Sequence, residues 1–471
     1  MQFGKNKEKV RHKLILIILK ELKDIKKIYF VGIGGIVMSA LARYFLGRGN
    51  EVYGYDRTET ELTKALVHEG MKVHYADDVK YIPEGVDLVV YTPAIPKDHQ
   101  ELNWLRGNGY EVLKRSEVLG IISRGMKTIA VAGTHGKTTT SSIVTHILRT
   151  AGVDCTAFLG GISLNLGSNF VQGKSDWVVV EADEYDRSFL QLSPDIAIIL
   201  SMDPDHLDIY GDEKNIRIGF EEFAAKTKAG GKVFRRRDLP LKKKKGWNVG
   251  VKLEVFGVGQ GTYRSVNLRV KEGYFVFDVK SPKEDIRNIV FTLPGKHNVE
   301  NATAAIAAAQ ELGIGGDDIK RALASFKGIR RRFEWIVKDE KVVYIDDYAH
   351  HPTELRSAIA AARALYPGKK LSVVFQPHLY SRTRDFQEGF AEALDGADDV
   401  MLMDIYPARE LPMDGVTSSL IFDRMKLGNK RMVSKENLLG VLADKDLEVL
   451  MTMGAGDIDV FVPKIGELLR K

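Results

Sequence analysis

Residues 128–139 read TIAVAGTHGKTT, a short apolar run that enters a glycine turn and is followed by residues with helical spacing. Glycines let successive backbone N–H groups point at phosphate oxygens, and a helix that starts here adds its positive dipole end. Lys137 is placed to reach the terminal phosphates of a nucleotide, and Thr138 to place its hydroxyl on Mg²⁺. Because Val131 stands where the full P-loop pattern has its first glycine, we interpret this stretch as a shortened phosphate loop.

Two later apolar runs end in acidic residues. Trp177–Val180 runs into EADE at 181–184, and Ile196–Leu200 is followed by DPDHLD at 203–208. In an open α/β sheet, ligands lie beyond the carboxyl ends of the strands, so Glu181 and His206 should converge on the glycine turn. Carboxylates and an imidazole there suit Mg²⁺ beside a transferring phosphoryl group. Helix capping is an equally good interpretation for each aspartate of the 203–208 segment.

An earlier glycine turn follows the apolar run at 28–31. Gly32-Ile33-Gly34-Gly35 begins like a dinucleotide fingerprint, with Val37 at its third glycine position and Asp56 about 20 residues further on, where a ribose-binding carboxylate stands. The pattern predicts a ligand that contains a nucleotide diphosphate. Thr92, in the stretch YTPAIP at 91–96, is a second candidate contact. From these residues alone, NAD and a sugar nucleotide remain alternatives.

The length of 471 residues exceeds what one hydrophobic core usually organises. Apolar runs that lead into turns begin at 28, 128 and 342, a repeat typical of α/β domains. We therefore predict domains at residues 1–120, 121–327 and 328–471. Residues 1–26 would form an N-terminal extension with an amphipathic helix, because apolar residues from Val10 to Ile25 recur at helical spacing.

Charge and cysteine content argue against several classes of protein. The excess of 69 basic over 63 acidic residues gives a net charge of +6, too small over this length to indicate nucleic-acid binding. No aromatic residues interleave the charges of the basic stretch at 233–246, so we interpret it as a solvated loop. The apolar run Leu14–Leu19 is too short for a transmembrane segment. Cys155 is the single cysteine, which excludes an intrachain disulfide and fits a cytoplasmic protein.

Several separated motifs, taken in order, resemble those of the Mur ligase family, and the resemblance covers nearly the whole chain from Ile28 onward. The matching motifs are FVGIGG at 30–35, GTHGKTT at 133–139, EADE at 181–184, DHLD at 205–208, GKHNVEN at 295–301, RRFE at 331–334, DDYAHHP at 346–352 and GAGD at 454–457. The resemblance implies an α/β protein of three domains. These are a Rossmann-like N-terminal domain for a UDP-sugar, a P-loop ATPase-like central domain for ATP, and a Rossmann-like C-terminal domain for ATP and an amino acid.

The resemblance also assigns roles to residues that match the family motifs. It implies ATP and Mg²⁺ as the cofactors, with Lys137, Glu181 and His206 as catalytic residues. Thr138, Glu181 and His206 would bind the metal. The residues implied in ATP binding are Gly133, Thr134, His135, Gly136, Lys137, Thr138, Thr139, Asn298, Asn301 and Arg332. The residues implied in UDP-sugar binding are Gly32, Gly34, Gly35, Asp56 and Thr92.

The segment QPHLYSR at 376–382 resembles the family members that add L-alanine. His378 and Arg382 are therefore candidates for the amino-acid end, where a guanidinium can grip a carboxylate with two hydrogen bonds. The resemblance implies ATP-dependent ligation of L-alanine to the lactyl carboxylate of UDP-N-acetylmuramate through an acyl phosphate. This reaction belongs to cytoplasmic peptidoglycan precursor synthesis, and we expect a monomer or homodimer. The recycling ligase that attaches a whole tripeptide to the same UDP-sugar remains an alternative.

Two further alternatives come from other classes of protein. A nicotinamide-dependent oxidoreductase built on the first glycine turn would leave the 133–139 turn and the later carboxylates unexplained. A nucleotide-binding protein that has lost catalysis would have no use for Lys137, Glu181 or Arg382. Phosphate release that depends on both substrates would exclude this second alternative.

Overall fold

A computed structural model of the chain describes residue 22, residues 24–203, residue 210, and residues 212–271, 273–408 and 410–470. The chain divides into two compact units. Unit 1 comprises Met1–Arg264, Ser281–Glu284 and Thr303–Ala322, and unit 2 comprises Ser265–Lys280, Asp285–Ala302 and Leu323–Lys471. The amphipathic helix predicted from residue 10 to residue 25 lies largely outside the described residues.

Unit 1 begins with a parallel sheet. Its strands are β1 (Lys27–Val31), β2 (Glu51–Tyr55), β3 (Lys72–His74), β4 (Leu88–Tyr91) and β5 (Val112–Lys114). Its helices are α1 (Ile36–Gly47), α2 (Glu61–His68), α3 (Gln100–Gly107) and α4 (Arg115–Gly125), with a 3₁₀ turn at Val79–Tyr81. The five strands lie in the order β3-β2-β1-β4-β5, and β1 and β4 are largely buried and apolar, as parallel strands covered on both faces require. This order confirms the Rossmann-like N-terminal domain.

One face of this sheet buries polar side chains from β1, β3 and α3. Glu101 is fully buried, and the Tyr29 hydroxyl lies 2.5 Å from Glu101 Oε2 and 2.7 Å from His74 Nε2. His74 Nδ1 lies 3.0 Å from the Ala76 carbonyl oxygen, which can only accept, so this nitrogen carries a proton. The Tyr29 hydroxyl donates to Glu101 Oε2 and so links the His74 imidazole to the buried carboxyl group. Burial raises the pKa of Glu101 to about 7 and lowers the pKa of His74.

Replacing Glu101 with glutamine is expected to remove a pH-dependent loss of stability, because glutamine resembles the protonated acid. Between the ordinary pKa of 4.5 and the folded value of about 7, the folded protein holds more protons at Glu101 than the unfolded chain does. This group therefore lowers wild-type stability as pH rises through that window, by on the order of 3 kcal/mol, and adds no further change above it. Denaturant midpoints would be measured for both proteins at about pH 5 and about pH 8. The midpoint of Glu101→Gln should exceed that of the wild type by much more at the higher pH. An equal difference in midpoint at both pH values would contradict the raised pKa of Glu101.

The second sheet carries the glycine turn at 133–136. Its strands within unit 1 are β6 (Lys127–Ala132), β7 (Thr156–Ser163), β8 (Ser168–Val171), β9 (Trp177–Ala182), β10 (Ile196–Ile199), β11 (Lys232–Arg236) and β12 (Lys252–Val258). The accompanying helices are α5 (Lys137–Thr150) and α6 (Glu213–Ala225), and a 3₁₀ segment covers Tyr185–Gln191. The strand order is β12-β11-β10-β6-β9-β7-β8, with β8 antiparallel to β7 and the others parallel. Because β6 lies between β10 and β9, the residues that follow these three strands meet at one edge of the sheet.

Residues 263–325 form three strands and two helices. They are β13 (Tyr263–Lys271), β14 (Tyr274–Lys280), β15 (Ile286–Phe291), α7 (Lys296–Glu311) and α8 (Gly316–Ser325). β14 and β15 pair antiparallel, with an irregularity between Phe277 and Val279. Gly295, with φ +97°, makes the turn that begins α7.

Unit 2 ends in a sheet of six strands. They are β16 (Glu334–Lys338), β17 (Val343–Asp347), β18 (Leu371–Phe375), β19 (Asp399–Leu402), β20 (Lys430–Met432) and β21 (Val449–Met453). The helices are α9 (Pro352–Leu365), α10 (Tyr380–Asp385), α11 (Gln387–Leu394), α12 (Ser419–Phe422), α13 (Leu438–Ala443) and α14 (Val462–Leu469), with a 3₁₀ turn at Asp457–Phe461. The order is β16-β17-β21-β18-β19-β20, with β16 antiparallel at one edge and the others parallel. This confirms the Rossmann-like C-terminal domain.

The domain boundaries predicted at residues 120 and 327 fall within α4 and just after α8, and their positions stay a prediction. Among the described residues, no helix combines the length and the apolar character that crossing a membrane requires.

Candidate functional site

The turn between β6 and α5 has a shape that requires glycine. Gly133 has φ +145°, and Gly136, at the N-cap of α5, has φ +83°. A Cβ atom at Gly133 would lie 2.9 Å from both Leu200 Cβ and Ser201 N, so a larger residue would force the backbone apart. The turn leaves the N-terminus of α5 at the carboxyl edge of the sheet, where a helix attracts anions. This is the arrangement expected of a phosphate loop.

Ser201, which follows β10, fixes the middle of this loop. Its hydroxyl lies 2.9 Å from Thr134 Oγ1 and accepts a hydrogen bond from the His135 backbone N–H at 2.8 Å. The Asp203 N–H donates to Thr134 Oγ1 at 3.2 Å, and its carboxylate lies 3.4 Å from His135 Nε2. Asp203 therefore contacts the loop. Sequence reasoning missed Ser201, because a single serine after a strand is not distinctive.

Lys137 points back into the loop. Its ammonium donates to the Gly133 carbonyl at 2.7 Å and to both carboxylate oxygens of Glu184, at 3.0 and 2.7 Å. Burial alone would lower the pKa of Lys137, but the carboxylates of Glu184, Asp183 and Glu181 raise it above its usual range. The ammonium therefore stays charged in a site where Glu184 is only 2% exposed. Glu184 belongs to the EADE motif, but its pairing with Lys137 was not predicted.

Glu181, near the end of strand β9, lies beside the start of α5. Its carboxylate accepts hydrogen bonds from Thr138 Oγ1 and Ser141 Oγ, each at 3.2 Å, and from the Gly160 N–H at 2.5 Å. Burial raises the pKa of Glu181, against the opposing effects of the Gly160 N–H and the Lys137 charge. Thr138 and Glu181 thus offer adjacent oxygen donors of the kind that Mg²⁺ prefers. The third predicted ligand, His206, lies outside the described residues.

The glycine turn after β1 brings the residues predicted for the UDP-sugar together. The Gly34 N–H donates to Asp56 Oδ2 at 2.7 Å. Gly32 has φ +88°, and a Cβ there would lie 2.7 Å from Thr92 Cγ2. Gly35 is the N-cap of α1, so its neighbours and the helix N-terminus face the same turn. The geometry suits a diphosphate at the turn, while the role of each residue stays a prediction.

Substitution of Gly34 by alanine is expected to destabilise unit 1 by about 1–3 kcal/mol, because the added Cβ overpacks the turn. That Cβ would lie 2.6 Å from Thr63 Cγ2 and 2.8 Å from Asp56 Oδ2. Gly35→Ala is the matched control, since its nearest neighbouring atoms lie 3.6 Å from the new Cβ. Chemical denaturation of the two variants should show a clear loss for Gly34→Ala and a loss below about 1 kcal/mol for Gly35→Ala. Equal losses would contradict this description of the turn.

In unit 2, Asn298 and Asn301 lie in the first turns of α7. Both are buried, and Asn301 Nδ2 donates to Asn298 Oδ1 at 3.4 Å. Asn298 Nδ2 also donates to the Pro294 carbonyl at 2.7 Å. The structure therefore brings these two amides together, and their proposed contact with adenine stays a prediction.

Two adjacent arginines of unit 2 have different surroundings. Arg331 is tied into the fold, because it donates to Asp346 Oδ2 at 3.1 Å and to the Gly454 carbonyl at 2.7 Å. Arg332 stacks over the Tyr348 ring at 5.1 Å, with its guanidinium 3.9 Å from the Glu354 carboxylate. Of the two, Arg332 has the looser protein contacts, which suits the ligand role predicted for it.

His378 and Arg382 meet after the carboxyl end of β18. Arg382 is 8% exposed, and its Nη1 lies 3.4 Å from His378 Nδ1. The His378 ring stacks on Tyr406, with centroids 5.9 Å apart, and lies 6.0 Å from the ring of His350. Between the two residues, Leu379 holds a positive φ of +72°, which turns the chain from His378 into α10. Sequence reasoning identified the two polar residues and missed Tyr406, which lies 28 positions from His378 in sequence.

The neighbouring histidines differ in their structural roles. His351 is the N-cap of α9, where its side chain accepts from the Thr353 N–H at 3.3 Å. Burial lowers the pKa of His350 to about 4, so its imidazole is neutral near pH 7. His351 therefore serves helix capping, whereas His350 belongs to the group around His378.

Models of protein families match three successive parts of the chain. The Mur ligase family, catalytic domain, matches residues 27–127, the Mur ligase middle domain matches residues 131–309, and the Mur ligase, glutamate ligase domain matches residues 331–457. Together these matches follow the order of the motifs in the sequence.

Individual relatives match over nearly the whole chain. The UDP-N-acetylmuramate–L-alanine ligase of Christiangramia forsetii is 49% identical, over 96% of this chain and 99% of its own length. The corresponding ligase of Cytophaga hutchinsonii is 50% identical, over 94% of this chain and 97% of its own length.

Solved structures agree with these matches. The crystal structure of the UDP-N-acetylmuramate–alanine ligase of Thermotoga maritima has a TM-score of 0.81 at 32% identity and covers 94% of this chain and 99% of its own. A murein peptide ligase from Psychrobacter arcticus shares the fold, with a TM-score of 0.70 at 22% identity, and covers 94% of this chain and 98% of its own. Three successive family models, full-length sequence identity near one half and a shared three-domain architecture lead to one conclusion: the chain belongs to the Mur ligase family.

Proposed function

We propose that this protein joins L-alanine to the lactyl carboxylate of UDP-N-acetylmuramate at the expense of ATP, in peptidoglycan precursor synthesis. The observation that carries the proposal is the Lys137 ammonium, held inside the phosphate loop beside the paired oxygens of Thr138 and Glu181. Such a site suits phosphoryl transfer. The choice of substrates follows the relatives at 49% and 50% identity, which are named for this ligation.

The reaction consists of two balanced steps. A carboxylate oxygen of the muramate attacks the γ-phosphorus of ATP, the bond to the bridging oxygen breaks, and ADP leaves with that electron pair. The nitrogen of alanine, after losing a proton from its ammonium, then attacks the acyl carbon, and inorganic phosphate leaves. Lys137 would stabilise the charge on the transferring phosphoryl group, while Arg382 would orient alanine through its carboxylate.

Mg²⁺ is part of this proposal. Thr138 and Glu181 would hold the ion, and both supply the oxygen ligands that it prefers. When bound, Mg²⁺ neutralises charge on the nucleotide phosphates. We also propose a cytoplasmic location, where ATP is available, and a monomer or homodimer as the active form.

The experiment that separates this function from the alternative uses two acceptors in parallel. Purified protein with ATP, Mg²⁺ and UDP-N-acetylmuramate would receive either L-alanine or the murein tripeptide, and products would be identified by mass spectrometry. We expect a UDP-muramoyl-alanine product with alanine and none with the tripeptide. A product with the tripeptide alone would move the assignment to the recycling ligase. No product with either acceptor would favour a nucleotide-binding protein without catalysis.

A further inference from the structure

A polar cavity of about 150 Å³ lies at the amino ends of three neighbouring strands in unit 2. We call it the amino-edge pocket, and it is lined by Lys370, Asp399, residues 428–431 and Lys445. Lys370 precedes β18, Asp399 opens β19 and Lys430 opens β20. Because β18, β19 and β20 are parallel neighbours, their amino ends meet at one edge of the sheet.

This edge is opposite the one that carries His378 and Arg382. Those residues follow the carboxyl end of β18, a strand of 5 residues. At roughly 3.3 Å per residue, the strand separates the two edges by about 17 Å. The amino-edge pocket is therefore distinct from the amino-acid end of the candidate functional site.

The pocket contains more positive than negative charge. Its lining includes four cationic residues, Lys370, Lys430, Arg431 and Lys445, and one acidic residue, Asp399, which leaves three positive charges in excess. The carboxylate is already used, because Lys445 Nζ forms an ion pair with Asp399 Oδ2. Both side chains of this pair are largely buried, with 17% of Lys445 and 5% of Asp399 exposed. A fixed ion pair thus forms one wall of the pocket.

The remaining cations are only partly used by the protein. Lys430 Nζ donates to the carbonyls of Phe422 and Met425, at 2.7 and 2.6 Å, so the protein fixes this ammonium and only its charge is left to act on the pocket. Within the described part of the chain, neither the Lys370 ammonium nor the Arg431 guanidinium has a hydrogen bond or an ion pair with another side chain. Ordinary solvated lysines have mobile head groups, whereas the ammonium groups of Lys430 and Lys445 are held in place by protein acceptors.

We propose that the amino-edge pocket binds a phosphoryl anion. A phosphoryl group carries up to two negative charges and several acceptor oxygens, which match the excess charge and the N–H donors of Lys370 and Arg431. An arginine beside lysines is the combination that proteins use for phosphate, because the guanidinium can bind two oxygens at once. The anion could be free inorganic phosphate or the diphosphate of a nucleotide.

The test uses the backbone amides of Gly428, Asn429 and Arg431 in the full-length protein as local reporters by NMR. The protein would be titrated with inorganic phosphate, with UDP and with acetate, against sodium chloride of equal ionic strength. We expect saturable shifts of these amides with phosphate or with UDP, and the tighter of the two identifies the source of the anion. No saturable shift with either, or an equal response to acetate or chloride, would overturn the proposal.

Two charge-matched variants complete the test. Arg431 is exposed, so Arg431→Gln should fold normally, and it should weaken anion binding about tenfold through loss of a charge-assisted contact. Lys338→Gln removes one positive charge from β16, at the other end of the same sheet, and should leave the affinity unchanged. Equal affinity of Arg431→Gln and wild type, or an equal loss in both variants, would show that the pocket is not the binding site.

Discussion

Lys137→Ala should lower kcat/KM for ligation by on the order of 10³-fold or more, because it removes the positive charge that meets the transferring phosphoryl group. UDP-sugar binding to the first glycine turn should be nearly unchanged, since Lys137 belongs to a different sheet. Initial rates of phosphate release over a range of substrate concentrations, together with calorimetric binding of UDP-N-acetylmuramate, measure both effects. Unchanged turnover would remove Lys137 from the mechanism.

The same substitution leaves Glu184 buried without its cationic partner, which is expected to cost about 3 kcal/mol of stability or to force protonation of the carboxylate. A loss of activity could then reflect misfolding of the loop. The double variant Lys137→Ala/Glu184→Gln removes the unpaired charge and is the control. It should recover much of the lost stability and none of the activity. Recovery of activity in the double variant would contradict the catalytic role of Lys137.

Arg382→Ala should raise the KM for L-alanine by on the order of 10²-fold, the effect expected from loss of a two-pronged bond to a carboxylate. The KM for ATP and the kcat at saturating alanine should change much less, because the guanidinium would contact only the amino acid. Initial rates over a wide range of alanine concentrations distinguish these effects.

Arg384→Ala is the matched control for Arg382→Ala. Arg384 lies in the same helix, α10, but is exposed and pairs with its neighbour Asp385 at 2.7 Å. We expect wild-type kinetics for this variant. An effect of Arg382→Ala on ATP alone, or equal effects of both substitutions, would contradict the assignment of Arg382 to alanine.

The sequence was sufficient to predict the family and the order of the three domains, and both predictions are confirmed. It was also sufficient to predict that the turn at 133–139 and Glu181 meet. That prediction depended on a general property of parallel sheets, since residues that follow neighbouring strands share an edge, and β6 and β9 are neighbours.

The partners of the predicted residues were beyond the reach of sequence patterns. Glu184 reaches Lys137 from the irregular segment that follows β9, in which Asp186 and Arg187 both have φ +53°, and local patterns do not specify such a segment. The difference between Arg331 and Arg332 is similar, because these identical adjacent residues both lie over the Tyr348 ring and differ in their carboxylate partners, Asp346 and Glu354. The roles assigned to individual ligand-binding residues stay predictions until the variants are measured.

The most direct test of the central claim follows an oxygen atom through the reaction. UDP-N-acetylmuramate labelled with ¹⁸O in its lactyl carboxylate would be incubated with the protein, ATP, Mg²⁺ and L-alanine, and the released phosphate analysed by mass spectrometry. Activation as an acyl phosphate predicts one ¹⁸O atom in each phosphate released, with release dependent on alanine. Phosphate free of ¹⁸O would contradict that mechanism. Release of labelled phosphate that does not depend on alanine would contradict the proposed ligation.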